Sequence, residues 1–173
     1  GRTHVIEAGH ANKPSLVLVH GTNASAPAVL EAFSELERHY HIYAIDVIGQ
    51  PNKSEANRLK MKSDQYGKWM AEVLENLNVT STHLVGVSFG GFLCMKAAIQ
   101  DTTRIKKLTL ISTGGIAQGS LLKMYFNAFV PMNKFKKTQD ETYFKKFIQS
   151  SMTNTSDLVI QSMKEILLHY DID

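Results

Sequence analysis

The chain has 173 residues, 43% of them hydrophobic, with 19 Lys and Arg against 16 Asp and Glu and a formal charge of +3. That length suits one globular domain with a substantial core, and eight Phe and six Tyr beside only four Pro and eleven Gly exclude a disordered or collagen-like chain. A charge so small and evenly spread gives no footing for a nucleic-acid partner. One Cys cannot form an internal disulfide, and no apolar run approaches the roughly 20 residues of a membrane span.

The first residues, Gly1 to Ile6, lack both an initiator Met and the apolar core of a signal peptide, so the expectation is a cytoplasmic protein with no stable membrane insertion. Thr3 to Ala8 reads as a strand, and Gly9 to Pro14 as a turn-rich connection. Ser15 to His20 is near-continuously apolar, the pattern of a strand buried on both faces of a parallel sheet. Pro27 suits a first helical position, with Val29, Leu30, Phe33 and Leu36 repeating at helical spacing behind it. His41 to Asp46 is the next strand, and a long loop runs from Val47 to Ser63.

Tyr66, Trp69, Met70, Val73, Leu74 and Leu77 make one apolar helical stripe, with Asn78 as its stop signal. A strand over His83–Val87, a helix over Ser88–Gln100 and a strand over Lys107–Ser112 follow. The order β-β-α-β-α-β-α-β predicts an α/β fold with a mostly parallel sheet flanked by helices. Beyond Ser112 only helical periodicity remains. Bulky apolar residues crowd Leu121 to Val130, and Pro131 closes that segment. Tyr143, Phe144, Phe147 and Ile148 mark a second helix, and Val159, Met163, Ile166, Leu167 and Tyr170 a third, capped by Ser156. The lysines of this block, among them Lys134, Lys136, Lys145 and Lys146, read as a solvated face around a packed helical layer.

Gly86-Val87-Ser88-Phe89-Gly90-Gly91 lies between a predicted strand and a predicted helix, the context that a G-x-S-x-G nucleophile elbow requires. Small residues at 86 and 90 let a tight turn close, and Ser88 is driven to the top of the sheet. The helix start sets backbone N–H groups beside it, that of Phe89 foremost. A dinucleotide fingerprint would need Gly at 88, and a phosphate-binding loop would need Lys-Ser/Thr after Gly91. The bland alternative is a serine that only caps its helix.

With Leu16 to Gly21, with Asp46-Val47-Ile48-Gly49 and Ser54 downstream, and with Leu84 to Gly91, the chain resembles the α/β-hydrolase superfamily over nearly its whole length. The resemblance implies a core over residues 1–115 and a helical cap over 116–173. It implies Ser88 as catalytic nucleophile, with backbone N–H groups of Thr22 and Phe89 as the oxyanion hole. Asn23, Phe126 and Phe129 become substrate-binding residues, the two aromatics lining an acyl pocket under the cap. His20 becomes structural, and Asp46 an organiser of its loop. In place of the family's D-x-x-G-x-G-x-S, this chain has Asp46-Val47-Ile48-Gly49-Gln50-Pro51-Asn52-Lys53-Ser54, one residue longer and lacking the second glycine.

The family's acid and histidine follow the serine in chain order. No carboxylate stands at Ser112-Thr113-Gly114-Gly115, and none of the histidines at 4, 10, 20, 39, 41, 83 and 169 sits after a final strand. The expectation is therefore the N-terminal two-thirds of a longer enzyme, with triad acid, base and the sheet's usual first strand outside it. That enzyme would be a serine hydrolase, a carboxylesterase acting through an acyl-enzyme on small-molecule esters or related acyl substrates, with no cofactor and no metal. Thioesters, amides, lactones and carbon–carbon cleavage use the same constellation. A non-catalytic ligand-binding or interaction protein on the same scaffold is the alternative. His39 and His41 read as strand-edge packing, Cys94 as a small core residue, and the sequons at Asn23, Asn52, Asn78 and Asn154 carry no weight without a secretory context.

Overall fold

The structure, a computed structural model, describes residues 1–114, 121–151 and 156–169. Two compact units succeed one another along the chain, Gly1–Gly114 and Gly115–Asp173. The first contains β1 (Val5–Ala8), β2 (Ser15–Val19), α1 (Ala26–Ala32), β3 (His41–Ile45), α2 (Gln65–Asn76), β4 (Thr82–Val87), α3 (Phe89–Gln100) and β5 (Ile105–Ile111). The strands form one sheet in the order β1-β3-β2-β4-β5, in which β1 runs antiparallel to β3 and every other pair is parallel. The predicted alternation is thus the observed one.

Because side chains alternate across a strand, the apolar runs of β2, β3 and β4 feed two cores at once. Val17, Val19, Tyr43, Ile45 and Leu84 pack towards Trp69, Met70 and Leu74 of α2 and Leu93, Cys94 and Ala97 of α3. Leu16, Leu18, Ile42, Ala44 and Val85 pack on the other face against Ala26 and Val29. The predicted first helix is shorter than its periodicity suggests: Phe33 leaves helical geometry, and a separate 3₁₀ turn spans Ser34–Arg38. Asn78 stops α2 as expected. At φ 55° it turns the chain left-handed, while its own N–H and that of Val79 satisfy the carbonyls of Glu75 and Leu74.

Register places the ends that matter together. Val19 lies opposite Ile45 and Gly86, and Val87 opposite Ile111. The segments that leave these strands, beginning at His20, Asp46, Ser88 and Ser112, therefore emerge at one edge, the carboxyl edge where open α/β sheets meet ligands.

The second unit contains α4 (Leu121–Met124), a π-helical stretch (Tyr125–Phe129), α5 (Val130–Thr138), α6 (Glu141–Ser151) and α7 (Asp157–His169). Pro131 does not close the first of these segments. It lies in helical backbone that runs on from the π-helical stretch, next to Val130, whose N–H makes the π-type bond to the Tyr125 carbonyl. Ser156 does cap α7, its hydroxyl accepting the Val159 N–H at 3.3 Å. Phe135, Phe144, Phe147, Met132, Met163 and Leu167 form the core of this unit, and Lys164 of α7 pairs with Glu141 of α6. The Asn154 sequon, Tyr170 and the predicted cap residues 116–120 lie outside the described residues. Among the described residues no helix is long and apolar enough to cross a membrane.

Phe135 is fully buried, with its ring centroid 4.9 Å from that of Phe144. Phe135→Ala should cost about 3–5 kcal/mol, the usual loss for emptying a large aromatic site. Denaturant unfolding followed by far-UV circular dichroism measures it, and a loss below about 1 kcal/mol would mean that the helices repack without this ring.

Candidate active site

The turn between β4 and α3 is sterically forced. A Cβ on Gly86 would lie 2.6 Å from the Gly90 carbonyl, and a Cβ on Gly90 would lie 2.2 Å from the Val19 carbonyl oxygen. Only glycine lets the start of α3 rest on the end of β2. Between these two positions Ser88 takes φ 51° and ψ −113°, a conformation that non-glycine residues rarely adopt. Its backbone is held on both sides: the N–H donates to Ile111 at 2.9 Å, and the carbonyl accepts from Phe92 at 3.3 Å and Gly114 at 3.4 Å. The side chain is exposed and makes no capping hydrogen bond to its helix. A serine serving only as a cap would use its oxygen on α3, and this one does not.

The loop after β2 runs directly against this serine. A Cβ on Gly21 would sit 3.3 Å from the Ser88 Cβ and 3.9 Å from its Oγ. Gly21-Thr22-Asn23-Ala24 forms a tight turn closed by the Ala24 N–H on the Gly21 carbonyl at 3.3 Å, with Asn23 left-handed at φ 58°. The Asn23 N–H donates to Gln50 Oε1 at 3.1 Å. Among the described residues no hydrogen bond occupies the N–H of Thr22 or of Phe89. The Asn23 side chain is buried, and its Oδ1 has no partner among the described residues. Phe89 is half-buried, edge-on to Tyr66 and stacked on Phe92.

His20 is committed elsewhere. Its Nδ1 donates to the Gly21 carbonyl at 2.7 Å, while Nε2 accepts the Val47 N–H at 2.9 Å and lies 3.3 Å from Asn52 Nδ2. Those partners require the neutral imidazole with its proton on Nδ1. Burial lowers the pKa of His20 below its ordinary value, against the opposing influence of the Gly21 carbonyl and the Asp46 carboxylate.

Asp46 is buried at the end of β3. It accepts the Ala26 N–H at 2.6 Å, His4 Nδ1 at 2.7 Å and the Lys53 N–H at 3.3 Å, so it fixes the start of α1 as well as its own loop. Sequence reasoning missed Gln50 and Asn52. They occupy the stretch that departs from the family pattern, and the departure itself was the signal.

The other predicted residues fall into different places. Phe126 and Phe129 stand on the π-helical stretch of the second unit, 62% and 43% exposed. His41 faces Glu7 at 2.5 Å, and His169 pairs with Glu165 within α7. Cys94 is buried in α3, where desolvation pushes its thiol far up from the ordinary range. Among the described residues no histidine hydrogen-bonds Ser88, and no cluster of three or more His, Cys, Asp or Glu is arranged to hold a metal.

A neutral, buried His20 makes the loop beside Ser88 acid-sensitive. The unfolded chain takes up the proton that the folded chain resists, so the stabilisation is full above the unfolded imidazole value of about 6.5 and declines as pH falls below it. Urea midpoints measured from pH 8 to pH 5 should fall more steeply for the wild type than for His20→Gln. Parallel curves would show that His20 carries no such linkage.

The alpha/beta hydrolase fold family matches residues 14–170. The uncharacterized carboxylesterase nap of Bacillus subtilis is 32% identical over 112 residues, covering 65% of this chain and 37% of that protein. Carboxylesterase YbfK of the same organism is 30% identical over 112 residues, 65% of this chain and 38% of that one. Among solved structures, naproxen esterase (carboxylesterase NP) from B. subtilis superposes with a TM-score of 0.83 at 24% identity, over 99% of this chain and 59% of the other. The chain thus corresponds to under two-fifths of the length of these curated relatives and about three-fifths of that solved structure. The mostly parallel sheet, the strand-to-helix turn at Ser88 and a match running from Pro14 to Tyr170 lead to one conclusion: this chain is a member of the α/β-hydrolase fold family, with an esterase-type hydrolase as its kin.

Proposed function

We propose that this chain carries the nucleophile and oxyanion hole of a carboxylesterase that acts on small-molecule esters through an acyl-enzyme. The observation that carries the reading is Ser88 itself, held at φ 51° on the carboxyl edge of the sheet with its hydroxyl exposed and, among the described residues, uncommitted. The carboxylesterase names of the relatives support it.

In this mechanism a histidine of the whole protein, oriented by a carboxylate, takes the Ser88 proton as Oγ attacks the ester carbonyl carbon. Negative charge gathers on the carbonyl oxygen, and the unoccupied N–H groups of Phe89 and Thr22 receive it. Both are fixed before substrate arrives, one by α3 and one by the turn closed on Gly21, so little reorganisation accompanies the developing charge. Collapse of the tetrahedral species expels the alcohol, which takes the proton back from the histidine. Water then repeats the sequence on the acyl-enzyme and releases the acid. Asn23 borders the substrate carbonyl in this reading, and Phe126 and Phe129 are proposed as residues that bind the acyl group.

Fluorophosphonate should label the full-length protein at Ser88, and Ser88→Ala should abolish both labelling and ester turnover. Equal labelling of the alanine variant would remove Ser88 as nucleophile. A wild type that binds ester but neither reacts with the reagent nor turns ester over would leave a binding protein on this scaffold. Phe126→Ala or Phe129→Ala should shift the preference among p-nitrophenyl esters of increasing acyl length by about 10–200-fold, the range that small apolar pocket changes reach. An unchanged chain-length profile would place both rings outside the pocket.

A further inference from the structure

We propose that Gln50 is a positioning residue for the oxyanion hole: its side-chain oxygen holds the Gly21–Ala24 turn in the form that presents the Thr22 N–H to the reacting carbonyl. The inference rests on the reading of Ser88 as nucleophile.

The N–H groups of the turn carry the argument. Three successive donors leave it. That of Ala24 is taken by the Gly21 carbonyl, that of Asn23 by Gln50 Oε1, and that of Thr22 by nothing among the described residues. Asn23 is 7% exposed and left-handed, so its N–H has little access to water and its backbone conformation is one that a non-glycine residue resists. Without an acceptor at Gln50 that donor would be buried and unpaired. The peptide could relieve this only by turning, and it is the peptide next to the one that carries the Thr22 N–H. On the other side of Thr22 the turn is already fixed, since His20 Nδ1 holds the Gly21 carbonyl and Gly21 packs on Ser88. Gln50 is therefore the second of two anchors that bracket Thr22.

Gln50 is itself well held. Its N–H donates to the Val47 carbonyl at 3.2 Å, and its carbonyl accepts the Asn52 N–H at 2.8 Å. Pro51 after it keeps its backbone out of the helical region. Asn52 pins the base of the same loop through Nδ2, 2.9 Å from the Val47 carbonyl. The Gln50-Pro51-Asn52 segment, which stands where the family's second glycine is missing, thus forms a bracket reaching from the loop after β3 to the turn after β2. Sequence alone marks it only as irregular.

The test uses the full-length protein and a p-nitrophenyl ester. Gln50→Met keeps the length of the side chain and removes the acceptor. Its kcat should fall about 10–100-fold, less than or equal to the loss on deleting an oxyanion donor outright, with KM within about threefold of wild type. Affinity for a trifluoromethyl ketone, whose adduct with Ser88 carries an oxyanion, should fall by a similar factor. Gln50→Glu restores an acceptor and should return kcat to within about fivefold of wild type; a direct donor role for the Gln50 amide would instead make Glu worse than Met. Gln50→Asn, which draws the oxygen back by one methylene, stands in if the Met variant loses its near-UV circular dichroism. Wild-type kcat in the Met or Asn variant, or a Glu variant no better than Met, overturns the inference. Fluorophosphonate labelling of each variant, taken to completion, separates the two readings. Absent labelling in the wild type removes the nucleophile, whereas complete labelling with unchanged kcat removes only the role of Gln50.

Discussion

The arrangement at the carboxyl edge depends on a steric contact, the seating of the α3 N-terminus on the carbonyls that end β2. At Gly90 there is no room for even a methyl group against the Val19 and His20 oxygens. That contact sets the angle of α3 to the sheet, forces the chain through the left-handed conformation at Ser88, and brings the Gly21 loop against the serine. Strain at one residue is tolerable because backbone hydrogen bonds to Ile111, Phe92 and Gly114 over-determine its position. A less constrained turn would let the side chain fold back onto the helix as an ordinary cap.

Hydrogen bonding then does for the loops what packing does for the strands. Asp46 joins the start of α1, the residue before β1 and the loop after β3, and His20 ties that loop to the turn after β2. These are buried polar groups with partners on several elements, so removing one leaves others unsatisfied. The edge of the sheet behaves as a connected plate, although few of its residues belong to a regular element.

Much of this was legible in the amino-acid order. Apolar runs such as Leu16 to Val19 identify strands buried on both faces, and the 66–77 stripe with Asn78 identifies a helix and its end, because burial and left-handed stops leave marks in single residues. Ser88 was legible because a tight turn restricts its flanks to glycine. Other features leave no such mark. The break at Phe33, where the backbone leaves helical geometry before a separate 3₁₀ turn, falls within a helical period that continues to Leu36. Pro131 has the same residue identity whether it ends a helix or sits next to a π-helical stretch inside one, and only the backbone on either side decides. Gln50 and Asn52 are ordinary loop residues by type. Their partners, Asn23 and Val47, become apparent only when the two loops are side by side.

The π-helical stretch at Tyr125–Phe129 carries a consequence for how the second unit tolerates insertions and deletions. One surplus residue in a helical turn rotates everything on its N-terminal side by about a quarter-turn or more relative to the helix beyond it. Ala128, Met132 and Phe135 share the buried stripe, and an unbroken α-helix would continue it to Met124 and Tyr125, which instead stand 49% and 54% exposed. Straightening the stretch at constant length would screw those side chains into the bundle, whereas loss of one residue within it would leave the residues before it on their present faces and simply remove the bulge. Which rings this segment displays is in that sense decided by where the surplus residue is accommodated, before residue type has any say.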